Sequence, residues 1–231
     1  MRKRLEKAFA KIPTPVLVAG AVVLAFAFPL LHLYGLVGAV WVRLGATVGI
    51  FVILALGLNI IIGETGLLNL GYMAFFAVGA YTTAILSSPW LDIHLPWWLL
   101  FFLSGILAVL FGFLLGLPTL RLRGDYLAIV TLAFGEIMRI TLNNWEALTN
   151  GPGGLPGIDE PVFFGLRVDT NTEFYYLALV VILVCIVIIR NLKNSRLGRA
   201  LNALREDELA AECSGIDVSR VKLLSFMVSA L

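Results

Sequence analysis

The sequence predicts an all-α, polytopic membrane protein: a helical bundle with six complete transmembrane spans and the start of another. Of its 231 residues, 60% are hydrophobic and 14% charged, and the mean hydropathy is +0.95. A soluble domain contains about 45–50% apolar and about 25% charged residues, so these values exclude an ordinary soluble globule. They exclude a disordered chain for the same reason. The apolar residues fall into separate runs, and a helix needs about 20 residues to cross a bilayer.

The first apolar run follows a basic stretch, and Ala25-Phe26-Ala27 within it resembles a signal-peptide cleavage site. The run continues to about Tyr34, which favours a retained span over a cleaved signal. The predicted spans are Thr14–Tyr34, Leu44–Ile62, Leu67–Leu86, Pro96–Leu117, Tyr126–Leu142 and Phe174–Ile189. A last run, Leu223–Leu231, covers only about 14 Å as a helix, so we expect a C-terminally truncated chain within one transmembrane domain, residues 1–231.

The distribution of positive charges predicts that the amino terminus lies in the cytoplasm. With that orientation, 14 of the 17 Lys and Arg residues fall in inner segments, whereas outer segments hold only Arg43 and Arg167. Cytoplasmic loops of membrane proteins carry such an excess. The inner set comprises Arg2, Lys3, Arg4, Lys7, Lys11, Arg121, Arg123, Arg190, Lys193, Arg196, Arg199, Arg205, Arg220 and Lys222.

No residue pattern indicates catalysis, metal binding or nucleotide binding. The two histidines, His32 and His94, are isolated, and neither a His–carboxylate pair nor a Ser–Lys pair lies in a span. The outer loop Asn143–Glu173 contains the glycine-rich run Gly151–Gly157, but no Lys-Ser/Thr follows it as in a phosphate loop. We therefore expect neither an enzyme nor a nucleic-acid-binding protein.

Small residues and a glycine-rich break indicate how the helices are arranged. Gly45, Gly49 and Gly57 in the second span, like Ser104, Ala108, Gly112 and Gly116 in the fourth, allow close helix packing in lipid. The stretch Gly63–Gly71 separates two apolar runs, either as a tight cytoplasmic turn or as a broken helix in the membrane. In the second case Asn69 would line a substrate pathway, as broken helices do in transporters.

Two charged residues, Glu136 and Arg139, lie one helical turn apart within the fifth predicted span. Charged groups at this depth are costly and face a bundle interior or a water-filled path. The pair either neutralises itself for structural reasons or lines a pathway for a zwitterion. Both alternatives stay open at this point.

The polar segment at residues 190–222 is predicted to form helices on the cytoplasmic side. Leu197, Ala200, Leu201 and Leu204 recur at helical spacing. Asp207 is placed to cap a short helix that runs to Cys213 and stops at Gly215. Asp217 or Ser219 caps the next helix. The segment is either a docking element for a cytosolic partner or an ordinary basic loop.

Several blocks from about Leu44 onward carry a family resemblance. They are Leu56–Asn59 through Gly79–Thr82, Gly116–Ala128, Thr131–Glu136, Gly151–Gly157, and Gly198–Ala200 through Gly215-Ile216. In this combination the chain resembles the permease subunits of high-affinity branched-chain amino acid ABC importers, the LivM type. Such permeases contact their ATPase through a cytoplasmic loop with the pattern Glu-Ala-Ala, three residues, then Gly. Aligned on Gly215, this chain has Leu209-Ala210-Ala211, with Glu208 one position before the expected acid.

The resemblance implies a subunit that translocates branched-chain or related amino acids by alternating access in the bacterial inner membrane. It implies three kinds of partner besides lipid: two cytosolic ATPase subunits, a sister permease, and a periplasmic or extracellular binding protein. ATP and Mg are expected on the ATPases, with no cofactor in this chain. A urea or amide permease of the same family, and a stand-alone secondary transporter or channel, are the alternatives. The implied ATPase-coupling residues are Asp207, Glu208, Ala210, Ala211 and Gly215.

Overall fold

The structure, a computed structural model, describes residues 23–30, 38–89, 95–120, 122, 124–163 and 166–231. Most of the first predicted span, the basic amino terminus, Arg121, Arg123, His32 and His94 lie outside the described residues. The described part is helical apart from loops and one antiparallel pair of two-residue strands, β1 (Val162–Phe163) and β2 (Leu166–Arg167). The predicted all-α class is confirmed.

Ten helices are numbered here in chain order through the described residues. The first four are α1 (residues 23–30), α2 (Ala39–Asn59), α3 (Met73–Ser87) and α4 (Trp97–Thr119). They are followed by α5 (Asp125–Asn144), the single turn α6 (Glu146–Thr149) and α7 (Asn171–Asn194). The last three are α8 (Arg196–Glu206), α9 (Glu208–Cys213) and α10 (Val218–Ala230).

Among the described residues, three helices are long and apolar enough to cross a membrane. They are Ala39–Glu64, which is α2 extended by a π-helical turn (Ile60–Glu64), then α4 and α7. Helix α2 begins five residues before the predicted start at Leu44, so Arg43 lies in a helix and not in a loop as predicted. An arginine near a helix end is tolerated because its long side chain extends to the membrane surface.

The third predicted span, Leu67–Leu86, is wrong at its amino-terminal end. Residues 66–71 are not helical, and α3 begins only at Met73. Gly66 adopts a left-handed φ of 70°, which ends the preceding helix. We call residues 60–72 the connecting segment.

The described residues divide into two compact units. In the first, which includes residues 38–51 and Asp169–Leu183, small residues of α2 face α7. A Cβ at Gly45 would lie 2.8 Å from the Tyr175 ring, and one at Gly49 would lie 3.1 Å from Ala178 Cβ. The predicted role of these glycines in close helix packing is confirmed.

The second unit comprises Val52–Val168 and Val184–Leu231, and α4 and α10 pack closely within it. A Cβ at Gly112 would lie 2.9 Å from the Phe226 carbonyl oxygen, and one at Gly116 would lie 2.6 Å from Leu223 Cδ1. Phe226 is fully buried at this contact. Exposed Phe101, Phe102 and other apolar side chains of α4 are normal for a helix that faces lipid.

Helices α8 and α9 form a second packed group in this unit, which we call the polar hairpin (residues 195–217). Its core consists of Leu201, Leu204 and Ala211 together with Val218 and Val221 of α10. The predicted apolar face of the first hairpin helix is therefore confirmed at Leu201 and Leu204. Leu67 of the connecting segment also packs against this core.

Candidate functional site

A groove of about 400 Å³ lies between α3 and α5. Its wall is apolar along Met73, Ala77, Leu132 and Leu142, and polar at four positions. The polar lining residues are Tyr81, Glu136, Arg139 and Asn143. A ligand that fits this surface combines an apolar part with charged or hydrogen-bonding groups.

Glu136 and Arg139 form a two-pronged ion pair at the groove. Arg139 Nε donates to Glu136 Oε2 at 2.9 Å, and Nη2 donates to Oε1 at 2.6 Å. The side chains remain 52% and 63% exposed, so the described part of the chain does not cover them. Each charge therefore has a partner and also an open side from which a ligand could approach.

The floor of the groove is a close crossing between the connecting segment and α5. The Leu70 amide donates to Thr131 Oγ1 at 3.1 Å. A Cβ at Gly71 would collide with the Thr131 carbonyl oxygen, and one at Gly135 would lie 3.0 Å from Gly71 Cα. Only residues without a side chain allow the two backbones to approach so closely.

Asn69 does not line the groove, although its neighbours Leu70 and Gly71 do. The side chain is 2% exposed, and its Oδ1 accepts a hydrogen bond from the Gly71 amide at 3.0 Å. Its buried Nδ2 has no hydrogen-bond partner among the described residues. Asn69 thus holds the backbone beside the groove through its Oδ1, while its Nδ2 amide group lacks a hydrogen-bond partner among the described residues.

The predicted caps of the polar hairpin are confirmed in detail. Asp207 Oδ1 accepts hydrogen bonds from the amides of Leu209 and Ala210 at 2.8 and 2.9 Å, and α9 runs to Cys213. Gly215 follows with a φ of 83°, a conformation that suits a helix end. Of the two residues proposed to cap the next helix, Asp217 does so and accepts from the Arg220 amide.

The predicted coupling residues that belong to α9 lie in different environments. Ala211 is 3% exposed and packs in the hairpin's own core, whereas Ala210 and the neighbouring Leu209 are exposed. Leu209 is 58% exposed although it is a large apolar residue. The outward surface of α9 is therefore formed by Leu209, Ala210, Glu212 and Cys213.

Sequence reasoning missed the charged contacts that fix this hairpin and the end of α7 beside it. Lys222 Nζ of α10 contacts Glu208 Oε1 at 2.8 Å, and the Lys222 side chain is 1% exposed. Lys193 Nζ contacts Glu64 Oε1 at 2.9 Å, and Arg205 Nη1 donates to the Gly63 carbonyl at 2.6 Å. The last two contacts join residues more than a hundred positions apart, so no local sequence signal indicates them.

A second, larger cleft of about 690 Å³ lies beside the start of α4. It is lined by Trp97 and, from the loop predicted to face outward, by Asp159, Glu160 and Arg167. The cleft is separate from the Glu136–Arg139 groove, since no lining residue is shared.

Comparisons with known proteins agree with the sequence pattern. Residues 40–231 match the family described as "Branched-chain amino acid transport system / permease component". The chain is 42% identical over 204 residues to the high-affinity branched-chain amino acid transport system permease protein LivM of Salmonella typhimurium, with 78% of this chain and 47% of that protein covered. The corresponding protein of Escherichia coli is 43% identical with the same coverage.

A probable branched-chain amino acid transport permease protein LivM of Methanocaldococcus jannaschii is 26% identical over 218 residues, with 78% of this chain and 61% of that protein covered. The chain spans about half the length of the two bacterial relatives. No solved structure matches it significantly.

Proposed function

This chain belongs to the family of branched-chain amino acid transport system permease components, and we propose on that premise that it carries branched-chain amino acids across the inner membrane as one subunit of an ATP-driven importer. Two cytosolic ATPases, a sister permease and an external binding protein complete the assembly. ATP and Mg bind to the ATPases, and this chain supplies part of the pathway and the coupling surface. Six spans with a cytoplasmic amino terminus are part of the same proposal.

The observation that carries the proposal is the exposed apolar surface of α9 on an otherwise polar hairpin. Leu209 and Ala210 project from a short helix whose other side is fixed by the Asp207 cap and the Glu208–Lys222 ion pair. A short, rigid helix with an apolar tip fits a groove of a partner protein. In this arrangement Leu209 and Ala210 contact the ATPase, while Asp207, Glu208, Ala211 and Gly215 hold the helix in shape.

The Glu136–Arg139 groove supplies the substrate pathway in this proposal. A zwitterionic amino acid carries an ammonium that Glu136 attracts and a carboxylate that Arg139 attracts. The apolar wall from Met73 to Leu142 suits an aliphatic side chain. Asn69 keeps the floor of the groove in shape through its hydrogen bond to the Gly71 amide.

Substitution of Leu209 tests the coupling surface. We expect Leu209→Asp to abolish copurification of the ATPases with this chain, since a carboxylate would have to be desolvated in the partner's groove. Leu209→Met, which preserves the apolar volume, is the matched control and should retain the ATPases. If the aspartate variant retains them as well, α9 is not the docking helix.

The alternative substrates and mechanisms differ in simple observables. In a urea or amide permease, excess urea would compete with leucine and suppress its uptake. In the proposed importer it should not, because urea has no charges for the Glu136–Arg139 pair to bind. A secondary transporter or channel would work without ATP. The exposed tip of α9 favours the ATP-driven importer, because a carrier driven by ions needs no docking helix.

A further inference from the structure

We infer that the connecting segment transmits movement from the polar hairpin to the Glu136–Arg139 groove, and that Arg205 is the positioning residue that joins hairpin and segment into one body. This inference rests on the proposed function, since movement of the hairpin presupposes an ATPase beneath it. It assigns a role to residues 60–72 and to Arg205 that neither the helix pattern nor the groove itself indicates.

One end of the connecting segment is fixed to the hairpin and to the end of α7. The Arg205 guanidinium donates to the Gly63 carbonyl at 2.6 Å, and Lys193 binds the 7%-exposed Glu64 at 2.9 Å. Leu67 packs against the hairpin core. A charged hydrogen bond, an ion pair with a buried carboxylate and an apolar contact thus act at the same place.

The other end of the segment reaches the groove and the bundle. Leu70 and Gly71 line the groove and contact Thr131 of α5. Tyr72 Oη donates to the Ser229 carbonyl of α10 at 2.9 Å. A displacement of residues 63–67 therefore changes the backbone that forms the floor of the groove.

The middle of the segment is built to move without breaking regular structure. Residues 66–69 belong to no helix or strand. The Gly66 amide still bonds to the Ile62 carbonyl, and beyond it side chains accept the local hydrogen bonds. Thr65 Oγ1 accepts from the Leu67 amide at 3.3 Å, and Asn69 Oδ1 accepts from the Gly71 amide at 3.0 Å. Since no helical ladder has to break here, rotation about these residues costs less than bending α2 or α3.

The first test removes the guanidinium that joins the two parts. In the purified assembly in liposomes, Arg205→Met should leave ATP hydrolysis close to wild type but lower the amino acid taken up per ATP about tenfold, the loss expected for one charged hydrogen bond. Arg199→Met is the matched control, because Arg199 lies exposed on the same helix and its guanidinium donates to the nearby Asn194 carbonyl. An unchanged ratio for Arg205→Met, or an equal fall for both variants, would overturn the inference.

An engineered disulfide between the connecting segment and the hairpin tests the same link by a second, independent change. A Cβ at Gly66 would lie 3.8 Å from Arg205 Cβ, a separation suited to a disulfide. In a background with Cys185→Ala and Cys213→Ser, the double variant Gly66→Cys/Arg205→Cys should be uncoupled when reduced and regain coupled uptake when oxidised. Because Gly66 has a φ of 70°, the single variant Gly66→Cys measures the cost of a side chain in that conformation. Oxidation that forms the disulfide and leaves uptake below that of Gly66→Cys would refute the one-body link.

These outcomes separate the inference from the proposed function. A wild-type assembly that takes up no amino acid would contradict the proposed function itself. A wild-type assembly that transports normally, together with an Arg205→Met variant that remains fully coupled, would contradict only the role of the connecting segment.

Discussion

At the scale of single residues, two charge pairs lie in contrasting surroundings. Glu136 and Arg139 neutralise each other at an open groove, and Glu208 neutralises the fully buried Lys222. In each pair, loss of one partner leaves the other charge without its counterion. The two pairs nevertheless predict different experimental patterns, because one is half exposed at a groove and the other includes a fully buried ammonium.

A double-mutant cycle on Glu136 and Arg139 separates a pathway role from a structural one. We expect Glu136→Gln and Arg139→Gln to impair assembly singly, because each change leaves the other charge without the partner that it binds through two hydrogen bonds. The double variant should recover assembly yet take up leucine at least about tenfold more slowly, as loss of one charged contact implies. Both assembled complex and uptake are measured for all four proteins. Full uptake by the double variant would mean that the pair is structural only.

The Glu208–Lys222 pair predicts an asymmetric effect on stability. Glu208→Ala leaves the 1%-exposed Lys222 ammonium without its partner, which costs about 3–5 kcal/mol. Lys222→Met should cost less, because the Glu208 side chain is 22% exposed and water reaches its carboxylate. Thermal unfolding of the solubilised assembly compares the two variants, with Glu212→Ala on the exposed side of α9 as control. A larger loss for Lys222→Met would contradict the burial argument.

The roles of some of these residues could be predicted from their sequence neighbours, and the roles of others could not. Asp207, Gly215 and Asp217 follow from the sequence because helix caps depend on neighbours two or three positions away. The interactions of Lys193 and Arg205 could not be predicted, since their partners Glu64 and Gly63 lie more than a hundred positions earlier in the chain. The amphipathic pattern marks Leu201 as a core residue, but only the folded hairpin shows that Ala211 joins it while Leu209 remains exposed.

At the scale of secondary structure elements, the connecting segment is where sequence and structure differ most. Apolar composition predicted a helix from Leu67, because Leu67, Leu68 and Leu70 suit one in lipid. Tertiary contacts prevailed: the Leu70 amide bonds to Thr131, and Gly71 lies against the α5 backbone. The sequence left a tight turn and a broken helix open at Gly63–Gly71, since glycines permit both.

The close crossing of Gly71 with α5 predicts a strong effect of a single methyl group. Gly71→Ala should lower the yield of assembled protein and reduce uptake, because its Cβ would collide with the Thr131 carbonyl oxygen. Gly79→Ala in α3 is the matched control: a Cβ there meets nothing within 4 Å, and alanine favours a helix by about 1 kcal/mol. Uptake and size-exclusion profiles of both variants provide the comparison. Equal behaviour of the two would mean that the crossing is looser than described.

At the scale of the whole molecule, the sequence predicts the membrane class and family well and the number of spans less well. Apolar composition and length identify α4 and α7 because a spanning helix needs little else. Helix α5 is not among the apolar spans in the described part, since Asp125, Glu136 and Arg139 interrupt it. The placement of α5 depends on its contacts with α3 and α4, which the composition of the chain does not indicate.

The proposed orientation predicts which thiols an impermeant reagent reaches. Cys213 is exposed at the tip of the hairpin, and we expect a membrane-impermeant maleimide to label it only in inverted membranes. Glu160→Cys in the opposite loop, in a Cys213→Ser background, should react from outside in intact cells. Labelling of Cys213 in intact cells would reverse the topology, and labelling of neither site would indicate that both surfaces are covered by partners.

The central claim is that this chain is the membrane part of an ATP-driven amino acid importer, and reconstituted uptake tests it most directly. The assembly purified through a tag on this chain is placed in liposomes with its binding protein on one side and ATP on the side of the polar hairpin. We predict that labelled leucine accumulates against its gradient only with hydrolysable ATP, and that dissipation of ion gradients leaves uptake unchanged. Leucine entry that proceeds without ATP and collapses with the ion gradient would contradict the account.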